Sequence, residues 1–469
     1  MNNPLSCSVL RYGSKFCKEC GESRLEHALQ IFSGTSCPVK GSCKAYSFLV
    51  KMLLKSGGAI FRVAEESQLR EYFADSTVRR GLVSVLRGIG EYGVTKPQLL
   101  GAPFLVVWNL TNACNLNCKH CYQRAGEQAP DELTTEERLQ VVEEMAKAGV
   151  VAIAFSGGEP LISSDFYEVA TKVKEEGMYV ALATNGTLIT KEIAEKLKHV
   201  GVDYVEISLD SATPEQHDAF RGTSGSFNRT LRGIKNCIDE GIFTCIATTV
   251  TQANLREIPQ IIDLAEKLGA ERFIAFNFIP AGRGEDAVDL DLTPEQREGL
   301  LEMLFKRNDS GKIQVLSTAP QFARVSLELS GGEVAAPTHM YIGRAYWGLK
   351  ILAEFIGGCG AGRLYCALQP NGDVSPCVFM PGLVVGNIRK TSFIDIWRRS
   401  EVMQKLRDRR LLEENCGVCQ YRYVCGGCRA RAFGYFKDVS APDPGCIRNK
   451  EHYVDIPRQV KAVPLVEAS

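Results

Sequence analysis

The chain has 469 residues, 45% of them hydrophobic and 23% charged, which is ordinary for a folded globular protein of two or three domains. Its 55 basic side chains balance its 55 acidic ones, so no basic excess points to nucleic acid and no polybasic run to an anionic membrane surface. No run of about 18 apolar residues occurs, and the pattern therefore holds no spanning helix.

Residues 1–100 are expected to be mostly helical and carry five cysteines. Cys17-x2-Cys20-x16-Cys37-x5-Cys43 is expected to form one zinc or iron–sulfur site, although its x5 half is irregular for a zinc ribbon, or to be free buried thiols, with Cys7 to spare. The segment Tyr46–Leu54 is apolar enough for a core helix or for a face turned to lipid. The opening Met1-Asn-Asn-Pro-Leu-Ser-Cys7 lacks the charged and apolar regions of a secretion signal, so the cytoplasm is the expected location. Eighteen cysteines in that reducing compartment read as metal or cluster ligands rather than as disulfides.

From Pro103 onward, strand-like runs alternate with amphipathic segments. The strands are Phe104–Leu110, Val151–Phe155, Tyr179–Ala183, Tyr204–Ser208, Thr244–Val250 and Phe273–Phe278. Thr134 and Glu137 stand at capping-box spacing before an apolar stripe of Leu139, Val142 and Met145. Gly149, Gly177, Gly201, Gly241 and Gly269 each precede a strand, where a left-handed residue ends a helix. Six βα units in series predict a parallel sheet with helices outside it, as an open barrel or a doubly wound sheet. Functional residues in such folds gather at the C-terminal ends of the strands.

The motifs fall at those ends. After the first strand, Thr111-Asn-Ala-Cys-Asn-Leu-Asn-Cys-Lys-His-Cys-Tyr122 offers Cys114, Cys118 and Cys121 as C-x3-C-x2-C. Three thiolates are one short of the four that usually hold a [4Fe–4S] cluster, so one iron is open. A structural zinc site would close with a fourth ligand, and none follows nearby. Ser156-Gly-Gly-Glu-Pro160 ends the second strand, Thr184-Asn185-Gly186 the third, and Ser208 and Asp210 the fourth. Near the C-terminus, Cys359, Cys366 and Cys377 precede Cys416-x2-Cys419-x5-Cys425-x2-Cys428 and then Cys446. Eight thiolates suit two fully liganded [4Fe–4S] clusters, although C-x2-C pairs also suit zinc.

The three-cysteine loop together with the Gly-Gly-Glu segment resembles the radical S-adenosylmethionine (SAM) superfamily, and the C-terminal array resembles its SPASM domain. The resemblance implies an α/β fold: a partial (β/α)6 barrel over residues 101–310, a helical linker over 311–355, a cluster-binding domain over 356–469 and a Cys-containing N-terminal extension over 1–100. It implies a radical SAM oxidoreductase that reductively cleaves SAM and abstracts hydrogen from an unactivated C–H bond. Gly157, Gly158 and Glu159 would meet the SAM amino group, and Asn185 a ribose hydroxyl. Ser208 and Asp210 would also contact SAM, Arg221 its carboxylate, and His120 would lie near the adenine. Interleaved ligation would give Cys359, Cys366, Cys377 and Cys428 to an inner auxiliary cluster, and Cys416, Cys419, Cys425 and Cys446 to an outer one. Three [4Fe–4S] clusters follow, with a low-potential donor such as ferredoxin or flavodoxin as partner. The substrate class implied is a peptide or a tetrapyrrole. A membrane-lipid alkyl chain and a non-catalytic iron–sulfur electron carrier are the alternatives. Val378 stands where sulfatase-maturating relatives carry a carboxylate base, so that role is not expected here. His217 is expected at a helix cap or the surface, and Cys237 and Cys245 in the core.

Overall fold

The computed structural model describes residues 4–18, 21–35, 41–61, 66–337 and 349–454. In the N-terminal region, β1 (Phe16–Cys17) and β2 (Glu22–Ser23) form an antiparallel ribbon among the helices Pro4–Gly13, Arg24–Ser33, Gly41–Phe61, Glu66–Ala74 and Ser76–Tyr92. Leu25, Leu29, Phe32, Tyr46, Val50 and Phe73 pack this region together as a small separate core.

The six expected strands are present as β3 (Leu105–Thr111), β4 (Ala152–Gly157), β5 (Tyr179–Thr184), β6 (Tyr204–Ser208), β7 (Phe243–Val250) and β8 (Arg272–Asn277). They pair in chain order and all in parallel, with helices in the crossovers. The helix Thr135–Ala148 starts on a complete capping box between Thr134 and Glu137. The five glycines before strands have φ between 63° and 95°, the left-handed geometry that turns each helix end back toward the sheet.

Alternation along the strands sorts side chains onto two faces. Val106, Trp108 and Leu110 of β3, Ile153 and Phe155 of β4, and Val205 and Ile207 of β6 meet the helices in the main core. The opposite face bears the half-buried Ala154, Ala181, Ala183, Glu206 and Ser208, small or polar side chains that leave a lumen.

The sheet is larger than six strands. Within the expected helical linker, β9 (Gln314–Ser317) adds in parallel beyond β8, followed by the helix Gln321–Leu329. On the other edge, β10 (Tyr365–Leu368) pairs in parallel with β3, and β11 (Asp373–Ser375) and β12 (Gly386–Asn387) continue antiparallel. The C-terminal cysteine region thus shares one ten-stranded sheet with the barrel. Among the described residues, no helix is long and apolar enough to cross a membrane.

Candidate active site

The three-cysteine loop leaves β3 at the C-terminal end of the sheet and is clamped from three sides by backbone. At its root, Cys114 N–H donates to the Gly126 carbonyl and Gly126 N–H to that of Asn112, both at 2.9 Å. In its middle, Asn117 and Lys119 donate to the carbonyls of Arg221 and Phe220 at 3.2 Å. At its far end, Arg283 N–H donates to the Cys121 carbonyl at 2.8 Å. The Arg283 guanidinium adds bonds to the carbonyls of Cys118 at 2.9 Å and Ala125 at 2.7 Å. Gly282 is obligatory beside it, because a Cβ there would lie 2.4 Å from the Tyr122 carbonyl. Sequence reasoning missed Arg283; its signal was only a Gly-Arg-Gly run following the end of β8.

Cys118 is buried, and Cys114 and Cys121 are half-buried. Burial pushes the Cys114 thiol up to about 12 and raises Cys118 as well, against the pull of the Arg221 guanidinium. Thiols held this way ionise when a metal centre takes the thiolate charge. Two buried polar atoms around the loop lack hydrogen-bond partners, His120 Nδ1 and Arg221 Nε. Thiol donors and orphaned polar atoms in one place fit a charged, polar guest at the barrel mouth.

Of the residues predicted to meet SAM, Gly158, Glu159, Asn185, Asp210, Arg221 and His120 are brought to this mouth, each with protein partners of its own. Gly158 N–H donates to the Thr111 carbonyl and Glu159 N–H to that of Ala113, both at 2.8 Å. A Cβ on Gly158 would lie 2.0 Å from the Ala113 carbonyl oxygen, so glycine is what lets β4 seat the cysteine loop. The Glu159 carboxylate accepts from Thr184 Oγ at 2.8 Å and from Asn185 N–H at 2.9 Å, tying the end of β4 to the end of β5. Burial lifts its pKa to about 6 against those bonds. The Asn185 amide donates to Asn115 in the cysteine loop at 2.9 Å.

Asp210 accepts from Thr249 N–H at 2.8 Å, and its other oxygen forms an ion pair with Arg221 Nη2 at 2.5 Å. The other Arg221 amino group points at Cys118 Sγ, 3.7 Å away. Burial disfavours its charge, but Asp210 and Cys118 outweigh that and raise its pKa. His120 stacks on Phe220 with ring centres 4.3 Å apart, and burial with Arg221 and Arg283 drives its pKa well down. His217, expected at a helix cap or the surface, is instead 0% exposed inside the helix Pro214–Arg221, and its Nδ1 accepts from Asp210 N–H at 3.3 Å. Ser208 stays half-buried on the lumen face of β6.

Below the loop the lumen is polar. Tyr122 Oη lies 2.8 Å from Ser156 Oγ and donates to Asn109 Oδ1 at 3.3 Å. Asn109 donates in turn to Gln369 Oε1 at 3.0 Å, a residue supplied by the C-terminal region. Glu206, which the sequence did not single out, is a lumen carboxyl that burial lifts to about 7, against the Tyr204 hydroxyl and Arg272.

The C-terminal cysteines gather into two groups. Cys359, Cys377 and Cys428 pack around Ala361, Ala367 and Met380. Cys416, Cys425 and Cys446 form the second group; burial raises the Cys425 and Cys446 thiols, and each is pushed further by neighbouring thiols. Cys419 lies one turn after Cys416, with Tyr421 N–H aimed at its sulfur at 3.4 Å. Backbone N–H groups of Asp443, Gly427 and Arg431 reach Cys416, Cys425 and Cys428 at 3.3–3.4 Å. Arg363 and Arg409 are buried with unpartnered N–H groups, and each feels the Cys359 thiol. Donor-rich, cation-lined thiol groups suit anionic iron–sulfur clusters. In the N-terminal region Cys17 Sγ is 3.6 Å from Cys43 Sγ; Cys20 and Cys37 lie outside the described residues. Cys237 and Cys245 are fully buried.

Known proteins share this plan. Residues 108–265 match the radical SAM superfamily, and residues 359–420 match SPASM, an iron–sulfur cluster-binding domain. The chain is 38% identical over 354 residues to the AdoMet-dependent heme synthase of Methanosarcina barkeri, spanning 74% of this chain and 97% of that protein. It is 32% identical over 355 residues to the mycofactocin maturase MftC of Mycobacterium tuberculosis, spanning 74% and 84%. The crystal structure of Streptococcus suis SuiB bound to its precursor peptide SuiA shares the fold, with a TM-score of 0.64 at 15% identity over 90% of this chain and 92% of that one. The chain belongs to the radical SAM superfamily and carries a SPASM domain. It is an enzyme, of a class that works with SAM and [4Fe–4S] clusters.

Proposed function

We propose that this protein oxidises a tetrapyrrole, abstracting hydrogen from an unactivated C–H bond presented to the barrel lumen. The observation that carries the reading is the clamped three-cysteine loop at the barrel mouth, directly above a polar lumen closed by Gln369 of the C-terminal region. Cys114, Cys118 and Cys121 would hold the first cluster, whose open iron and bound SAM supply the hydrogen-abstracting chemistry. This chain's own residues orient and enclose. Arg283 and the Phe220–Gly222 turn fix the loop, Gly158 lets it seat, and Glu159 sets the position of Asn185. Asp210 and Arg221 place charge beside Cys118, and the His120 ring lines the mouth. Electrons would leave through the clusters of the C-terminal region. We place the active site at residues 101–310 and the auxiliary clusters at 356–469.

A tetrapyrrole is favoured because the relative at 38% identity is named a heme synthase. A peptide is the second reading, supported by the shared fold with SuiB, which was solved with a precursor peptide. The lipid alternative has one supporting feature, the exposed Phe48, Leu49 and Met52 of the helix Gly41–Phe61. The test is an anaerobic assay of the reconstituted full chain with SAM and a strong reductant against a panel of iron porphyrins, a panel of peptides and lipid vesicles. Release of 5′-deoxyadenosine should rise above the substrate-free rate with a porphyrin. Stimulation by peptides or lipid alone would overturn the tetrapyrrole assignment while leaving the enzyme class intact.

A further inference from the structure

Cys366 does not face the other cysteines of the inner auxiliary group. It is the second residue of β10, whose register with β3 sets Tyr365 beside Leu105, Cys366 beside Val106, Ala367 beside Val107 and Leu368 beside Trp108. Successive strand residues point to opposite faces. Cys366 and Leu368 are buried in the main core with Val106, Trp108, Phe393 and Trp397, on the helix side of the sheet. Ala367 is buried on the other side with Cys359, Cys377 and Cys428, and Tyr365 and Val107 pack against that group. The charge acting on Cys366 is Arg407, whose guanidinium lies over the Trp397 ring at 4.3 Å. Moving Cys366 across would require a one-residue slip of β10, which is held by β3 on one edge and β11 on the other.

Tyr365 stands where a fourth thiol was expected. Its hydroxyl lies 3.2 Å from Cys377 Sγ, and its ring fills space left by Gly360, where a Cβ would come within 2.9 Å of it. Ligands on neighbouring irons of a four-iron cluster diverge, so an oxygen this close to the Cys377 sulfur is a hydrogen-bond donor to it rather than a ligand to the next iron.

We propose that the inner auxiliary site holds its cluster with three thiolates, Cys359, Cys377 and Cys428, with Tyr365 donating a hydrogen bond to Cys377 and Cys366 serving only as a packing residue. One iron of that cluster is then left to an exchangeable donor from solvent or substrate. The inference rests on the reading of the C-terminal cysteines as cluster ligands. If the native chain binds no auxiliary iron, that reading fails, not the choice between Cys366 and Tyr365.

Three measurements on the anaerobically reconstituted full chain test it. Iron is counted first in Cys366→Ala and in Cys366→Val, which keeps the buried volume, beside Cys377→Ala, with circular dichroism to confirm folding. The Cys366 variants should keep the native iron, whereas Cys377→Ala should lose roughly four irons. Next, Tyr365→Phe should keep its iron and move the midpoint potential of one cluster downward, because hydrogen bonds to sulfur raise it. Last, the Cys114/Cys118/Cys121→Ala variant, which removes the other open iron, is reduced and given carbon-13 cyanide. A carbon hyperfine coupling should appear in its electron paramagnetic resonance spectrum. A folded Cys366→Val that loses as much iron as Cys377→Ala overturns the ligand assignment. Unchanged potentials in Tyr365→Phe overturn the tyrosine's role, and a silent cyanide experiment overturns the open iron.

Discussion

Gly158 shows how much a single missing methyl group matters at this site. Its N–H and that of Glu159 bind the root of the cysteine loop, and a Cβ would lie 2.0 Å from the Ala113 carbonyl. Gly158→Ala should therefore push the loop outward, at an overpacking cost of about 1–3 kcal/mol. Iron counting should show loss of the loop's cluster with the auxiliary iron retained; full native iron would mean that the loop adjusts without penalty. Glu206 carries a pH signature. Its folded pKa of about 7 lies above the ordinary 4.5, so the folded state holds its proton longer than the unfolded chain. Its contribution to stability should be unimpaired below about pH 4.5 and decline as pH rises toward about pH 7. Glu206→Gln should flatten that part of the profile in denaturant titrations, and an unchanged slope would show that other groups set it.

At the scale of elements, much was legible because local chemistry and global fold agree. The capping box at Thr134 and Glu137 is present as the spacing implied. Thr134→Ala should cost about 1 kcal/mol by denaturant unfolding, with clusters unaffected. A loss larger by up to about 1 kcal/mol would mean that the exposed Glu137–Arg389 ion pair, which ties this helix to the C-terminal region, had gone with it. The missed elements have identifiable causes. β9 is four residues long, Gln314–Ser317, too short to show an alternation, and its pairing partner β8 was already accounted for. β10 lies inside the cysteine array, whose spacing drew the reading toward ligands and hid the strand. Cys366 belongs to the ligand set that the resemblance implies, yet in the structure it faces the helix layer: thiol spacing counts residues, and a strand alternates faces. His217 and Arg283 were opaque for a different reason. Both meet backbone atoms, His217 the nearby Asp210 N–H and Arg283 the carbonyls of the distant cysteine loop, and sequence patterns record side chains rather than the backbone groups they meet.

For the whole molecule, one sheet carries the chemistry from end to end. The cysteine loop hangs from β3, and β10, paired beside β3, lies within the region of the auxiliary cysteines. Gln369 just beyond β10 reaches Asn109 of β3. The boundary expected near residue 355 is therefore crossed by strand pairing, and the C-terminal region completes the lumen wall as well as holding thiols. The six βα units and both cysteine arrays were readable because glycine caps and thiol spacing are local features. The joining of the two regions was not, because it depends on pairing between β3 and β10, far apart in the chain. The central claim is that Cys114, Cys118 and Cys121 form the site of SAM cleavage. The measurement is 5′-deoxyadenosine formed from SAM under strong reductant by the reconstituted native chain and by its Cys114/Cys118/Cys121→Ala variant, with auxiliary iron counted in both. The native chain should release it slowly even without substrate, and the variant should release none while keeping its auxiliary iron. Equal release by the two, or none from a fully loaded native chain, would contradict the assignment.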